Sequence, residues 1–256
     1  MPTLNGVATE IRRSGANVKY QMGQYFLKRC WIIEKVQDVY EREEMASILG
    51  HLLEVPIVRA WISSTNGITF LPGNQSGLIR DKCIVMDFLH GHTLLDDRAA
   101  AANWVRNHIR DVADIFAYMH WIGDEDRGLE DIMLVGDELV LVDNGLTGPP
   151  VFDSPLRGTH PMVDYFINNP KQILKKCFPG KPSFVAFVIR DLRISCEDLK
   201  NPGFIDRCVA MNSIDIRGIV EGLGMHPMIA DVLDRRRRTL QDEYAEWIEM
   251  LRRETW

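Results

Sequence analysis

The sequence predicts an α+β fold of two lobes, a small antiparallel sheet with one helix followed by a mainly helical lobe. Three observations lead there. Residues 7 to 29 read as three short strands, broken at Ser14-Gly15-Ala16-Asn17 and again at Met22-Gly23, the rhythm of hairpins. Between 36 and 53 the apolar residues Val39, Met45, Ala46, Ile48, Leu49, Leu52 and Leu53 fall mostly at helical spacing, and Pro56 follows. From Trp104 onward helical periodicity takes over, with Trp104, Val105, Ile109, Val112, Ile115, Phe116 and Met119 on one apolar face of a single long helix.

Taken in order, the third strand starts at Gln24 and ends at Lys28. After the helix come strand-like stretches at Ile57 to Ile62, Ile68 to Leu71 and Cys83 to Phe88, with the turn formers Pro72-Gly73-Asn74 between them. The first lobe is expected to close near His90-Gly91, giving an N-terminal lobe over 1–91 and a C-terminal lobe over 92–256. Within the second, Ile132 to Val135 and Leu139 to Val142 form a hairpin through Gly136 and Asp137. From about Val163 the chain reads as mainly helical, ending in a long amphipathic helix.

Composition removes several function classes. With 256 residues, 46% of them hydrophobic, the chain can bury a real core. No apolar run approaches the roughly 20 residues that span a bilayer, so no membrane span is expected. The stretch MPTLNGVATEIRRSG has no apolar core of a secretory signal, and the expected compartment is cytoplasmic. Cys30, Cys83, Cys177, Cys196 and Cys208 are scattered without a C-x-x-C pair and read as reduced thiols. A formal charge of −6 argues against general nucleic-acid binding. The basic run Arg235 to Arg238, flanked by Asp231, Asp234, Asp242 and Glu243, reads as a solvated, ion-paired helix face. The seven histidines show no metal spacing. His90 and His92 flank the lobe boundary, and His120 ends a helix where a positive charge suits the dipole.

The segment from Gly123 to Gly145 concentrates acids where stability would not ask for them. Asp126 and Asp131 lie five apart on a loop, and Asp143 closes an apolar strand ahead of Asn144-Gly145. An aspartate at the end of a buried strand is costly unless a cation or donors meet it, and a metal ion is the economical explanation. Phosphoryl transfer uses such a set: a carboxylate to orient or deprotonate the acceptor, oxygen ligands for magnesium, and a lysine on the phosphates. Lys28 stands at the strand end, and Glu43 follows fifteen residues later (43 − 28) on the helix, with Glu41 and Glu44 as competitors for it. The strand ending Met86-Asp87-Phe88-Leu89 offers backbone to an adenine. A metal-dependent hydrolase could use the same acids, but would not need Lys28.

On these residues the chain resembles the atypical kinases of the HipA-type and phosphatidylinositol 3/4-kinase-like group. That group's loop, Asp-Arg-His-x-x-Asn, is matched by Asp126-Arg127-Gly128-Leu129-Glu130-Asp131, and its Ile-Asp-x-Gly by Val142-Asp143-Asn144-Gly145. Ser14-Gly15-Ala16-Asn17 through Gly23-Gln24-Tyr25-Phe26-Leu27-Lys28 is similar to its phosphate loop and nucleotide lysine, and Glu43-Glu44-Met45-Ala46-Ser47 to its Glu-x-x-Ala-Ser helix. The resemblance implies a bilobal protein-kinase-like fold, with ATP and Mg2+ or Mn2+ as cofactors. By position it makes Asp126 the catalytic base, Asp131 and Asp143 metal ligands, Lys28 the phosphate-binding lysine and Glu43 its partner. Ser14, Gly15, Ala16 and Asn17 would contact the phosphates, and Met86, Asp87, Phe88 and Leu89 the adenine.

The implied function is a protein kinase acting on a serine, threonine or tyrosine of a protein substrate. The alternatives are a pseudokinase that binds without turnover and a nucleotidyl transferase on the same fold. A lipid kinase is disfavoured, because Phe152 to Asn169 holds only Arg157 as a cation. Two positions depart from the family: Gly128 replaces its histidine and Asp131 its asparagine. Aspartate still offers oxygen to magnesium, and its added charge tightens the metal while repelling phosphate slightly. Thr147 and Ser154 follow Asp143 where a phosphorylation switch could sit.

Overall fold

The computed structural model describes residues 4–14, 17–30, 39–71, 78, 81–124, 127–143 and 183–253, and the fold is α+β as the sequence predicts. A six-stranded sheet in the order β4-β6-β3-β2-β1-β5 occupies the first part. Its strands are β1 (Gly6–Ser14), β2 (Asn17–Met22), β3 (Tyr25–Cys30), β4 (Ala60–Ser64), β5 (Ile68–Leu71) and β6 (Lys82–Asp87). Strand β3 thus runs two residues past Lys28.

The sheet is antiparallel as expected, with one parallel contact added where β1 pairs β5 from Gly6↔Ile68 to Thr9↔Leu71. Strands β4 and β5 sit at opposite ends of the strand order, yet only Thr65-Asn66-Gly67 joins them. At about 3.5 Å per residue, so short a link forces the sheet to curl until its two edges approach. Gly67 makes the closure possible with φ 87, and a Cβ there would fall 2.0 Å from Asn5 Oδ1.

Alternation along the strands divides the buried residues into two sets. Val18, Tyr20, Leu27, Cys83 and Val85 close on Ala8 inside the curl. Cys30, Ile84 and Met86 face the other way, with Val58 and Ala60, onto Tyr40 of helix α1 (Val39–Leu52). Helix α1 is buried on two sides, since Met45, Ala46 and Leu49 join the core of the helical part. Ser47 hooks it to the sheet: its hydroxyl donates to Val58 O at 3.0 Å and accepts from Ala60 N at 2.9 Å. The Ala46-Ser47 pair therefore has a packing explanation, completed by Tyr118, whose hydroxyl donates to Ala46 O at 3.0 Å.

A second sheet, β7 (His92–Thr93), β8 (Ile132–Val135) and β9 (Glu138–Leu141), lies in the order β7-β8-β9. The segment after α1 ties it to the first part, with Leu141 N donating to Pro56 O at 2.8 Å and Val58 N to Leu141 O at 2.9 Å. Where one long helix was expected there are two, α2 (Arg98–Asn107) and α3 (Ile109–Ile122). The break is at His108, whose φ of −127° leaves the helical region while its ring stacks on Trp104 at 4.3 Å. No glycine or proline marks that break.

Beyond Ser183 come α4 (Phe184–Ala186), running into a π-helical turn Phe187–Asp191, then α5 (Gly203–Ala210), α6 (Ser213–Gly222) and α7 (Pro227–Arg253). The apolar face of α3 supplies the centre of this core, from Val112 to Ile122. No helix among the described residues is long and apolar enough to cross a membrane.

Two surface expectations change. Arg236 is buried, and its guanidinium donates to Trp121 O at 3.2 Å, so the Arg235 to Arg238 run is not uniformly solvated. His120 is buried too, and burial together with the Arg236 charge pulls its pKa down to about 3. A neutral imidazole cannot serve as the positive dipole partner predicted for it.

Candidate active site

The site grows from the pleat of β3. Because side chains alternate, Phe26, Lys28 and Cys30 share the face that looks toward α1, while Leu27 turns into the curl. A lysine at that position is closed from solvent, with its side chain 2% exposed. Two carboxylates meet it: Glu43 Oε2 at 2.7 Å from α1 and Asp143 Oδ1 at 2.5 Å from beyond β9. Burial works to lower the Lys28 pKa, but the Asp143 and Glu43 charges outweigh it and hold the ammonium above its ordinary range.

The three neighbouring glutamates separate cleanly. Glu43 takes Lys28, Glu41 pairs with Lys82, and Glu44 accepts from Ile62 N at 2.9 Å. Their helical spacing sets this outcome, since each successive residue turns by about 100° and faces a different neighbour.

The hairpin β8–β9 brings the other acids to its open end. Ile132 pairs with Leu141, and Val142 N donates to Asp131 O at 2.9 Å, so Asp131 and Asp143 leave the same end of the hairpin. Leu139 and Leu141 point into the helical core, whereas Val140 and Val142, like Phe26 and Leu89, pack against the sheet-side cluster that holds Cys30, Ile84 and Met86. Asp143 turns off the strand with φ 59, a left-handed conformation that aspartate tolerates better than most residues. Its side chain is 28% exposed and lies 3.6 Å from Lys19 as well as against Lys28. Burial pushes its pKa up, but Lys28, then Lys19 and Arg127, overcome that and hold it well below the usual carboxylate range.

Arg127 binds the loop together from inside. It donates to Asp124 Oδ2 at 2.7 Å, to Asp131 O at 2.9 Å and to Val142 O, linking the end of α3, the turn Leu129–Asp131 and the strand end before Asp143. Asp131 is mostly buried, and its Oδ2 accepts from Gly128 N at 3.1 Å. A Cβ on Gly128 would lie 2.5 Å from Glu130 Oε2, so Glu130 fills the space that a side chain at position 128 would take.

No protein-family model matches this chain, and no curated protein matches it. Among solved structures the chain is similar to the crystal structure of a Helicobacter pylori proinflammatory kinase, CtkA, at 11% identity over 98% of each chain with a TM-score of 0.49.

Of the residues singled out from sequence, Lys28, Glu43 and Asp143 are in direct contact, and Asp131 stands beside them through the hairpin backbone. Asp126, Gly15 and Ala16 lie outside the described residues, as do Thr147 and Ser154. Ser14 and Asn17 pair across the end of the β1–β2 hairpin. The stretch Met86 to Leu89 is less open than expected. Met86 pairs with both Phe26 and Ala60, Asp87 with Tyr25, and Phe88 N donates to Gln24 O at 2.9 Å. Past that ladder a hollow of about 560 Å³ is lined by Phe88, Leu89, His90, His92, Leu134 and Gly136.

The donor set at the hairpin end, two carboxylates of which Asp143 reaches solvent, suits a hard, oxygen-seeking divalent cation. Among the described residues no group of three possible ligands gathers. Sequence reading gave no role to Lys19, Phe26, Arg127, Val140 or Val142. Alternation from Lys28 points to Phe26, and alternation from Leu141 points to Val140 and Val142. Arg127 shows in sequence only as the partner of Asp126.

Proposed function

We propose that the chain is an ATP- and divalent-metal-dependent phosphotransferase whose acceptor is a hydroxyl of a protein substrate. One observation carries this reading: a lysine closed from solvent is held by a helix glutamate and a strand-end aspartate at once, at 2.7 and 2.5 Å. Removing an ammonium from water costs several kcal/mol, and a fold built for stability alone would fill this position with an apolar side chain. Held between the sheet and the hairpin, the ammonium is set to meet phosphate charge.

In this reading the cleft between an N-terminal lobe, to about residue 91, and the helical lobe holds the nucleotide. Phe26, Val140 and Val142, which pack against one cluster, would offer apolar faces to the adenine, and the backbone near Leu89 its polar edge. Lys28, oriented by Glu43, binds the phosphates. Asp131 and Asp143 would hold the metal, which when bound neutralises charge on the transferring phosphoryl group. Asp126 accepts the proton of the attacking hydroxyl. Arg127 fixes the backbone of this loop against the strand end.

Incubation with labelled ATP and Mg2+ or Mn2+ tests the proposal. Label should pass to the chain itself or to an added protein, and Asp143→Ala should abolish transfer. Activity that survives Lys28→Ala yet is lost in Asp131→Ala would replace the kinase reading with metal-dependent hydrolysis.

A further inference from the structure

Lys19 lies directly opposite Lys28 in the β2–β3 ladder. Opposed residues of an antiparallel pair project to the same face, and two like charges so placed repel unless anions join them. The anions present are Glu43 and Asp143. Glu43 is committed to Lys28 at 2.7 Å, and Asp143 is divided between Lys28 at 2.5 Å and Lys19 at 3.6 Å. Among the described residues Asp143 is the carboxylate that faces Lys19. The ammonium also stands 6.0 Å from the centre of the Phe26 ring, on the face of the sheet that it shares with Lys28. Its side chain is 18% exposed, so it is partly shielded yet open to a ligand.

We propose that Lys19 is a second phosphate-binding cation of this site, directed at the terminal phosphates of a nucleoside di- or triphosphate. The inference rests on the nucleotide reading above. Its basis is charge balance: if Asp143 holds a divalent cation, Glu43 still satisfies Lys28, while Lys19 is left facing the cleft with its anion engaged elsewhere. A phosphate oxygen fills that place. The same contact gives a reason for a second lysine on the face of the sheet that holds a buried one.

The test is equilibrium binding of AMP, ADP and ATP in Mg2+ to the wild-type chain, Lys19→Gln and Lys19→Arg, with the melting temperature of each ligand-free protein recorded alongside. Losing one charge-assisted contact should weaken ADP and ATP by about tenfold or more, leave AMP nearly unchanged, and be largely restored in Lys19→Arg. Equal weakening of all three nucleotides, or none, overturns the role of Lys19 while leaving the nucleotide reading intact. A wild-type chain that binds none of the three overturns both. If Lys19→Gln melts early, the ratio of ADP to AMP affinity in Lys19→Thr, measured below its melting temperature, decides: a fall of about tenfold against wild type supports the phosphate contact, and an unchanged ratio overturns it.

Discussion

Lys28 and Glu43 meet at 2.7 Å with side chains 2% and 0% exposed, from a strand and a helix fifteen residues apart in the chain. Neither charge has water to fall back on, so the pair fixes α1 against β3 only while both members are present. Lys28→Met should lower stability in urea by about 3–5 kcal/mol, because it removes the ammonium that answers the Glu43 carboxylate in the protein interior. Glu43→Gln should cost less, since Asp143 still answers the ammonium, and urea denaturation of the two variants checks that order.

Ser47 satisfies two backbone groups of the segment that leads into β4. Ser47→Ala leaves the Val58 carbonyl and the Ala60 amide without that partner, and should cost about 1–3 kcal/mol. Ser47→Thr, which keeps the hydroxyl, should recover part of it. Equal melting temperatures for Ser47→Ala and wild type would remove the anchoring role.

Arg127 reaches three elements through a planar fork that lysine cannot copy. Arg127→Lys keeps the charge but should lose about 1–3 kcal/mol of stability and most phosphotransfer. Nucleotide affinity should fall less than turnover, because Lys28 and Glu43 are untouched. Steady-state kinetics that show KM rising with kcat unchanged would contradict a role in placing the loop.

The buried imidazole of His120 gives a pH signature. Its pKa falls from 6.5 to about 3 in the folded chain, so between those values the unfolded state binds a proton that the folded state refuses. Stability therefore drops as pH falls from about 6.5 toward 3, by at most about 1.4 kcal/mol per pH unit from this group. His120→Phe removes that contribution, and its melting temperature should fall less steeply over the same window. Parallel curves for the two proteins would show that His120 protonates normally.

Strand and helix periodicity made the sheet, α1, the hairpin and the long C-terminal helix legible, because the apolar residues of each repeat at its own period. The closure of the sheet was not legible, since the parallel contact of β1 with β5 depends on a short turn joining distant strands in space. The break at His108 was hidden because its cause is a side-chain stack, not a helix breaker. At the site, residues that act through charge stood out, as Lys28, Glu43, Asp131 and Asp143 did. Lys19 and Arg127 did not, because a lysine in a strand and an arginine in a loop look exposed until their neighbours are known.

The most direct test is a crystal structure of the chain with Mn2+ and a non-hydrolysable ATP analogue, with anomalous data collected for the metal. The predicted result is a manganese peak bounded by the carboxylates of Asp131 and Asp143, with the terminal phosphates in hydrogen-bond reach of Lys28. A metal bound elsewhere, or a nucleotide whose phosphates lie beyond the reach of Lys28, would contradict the account.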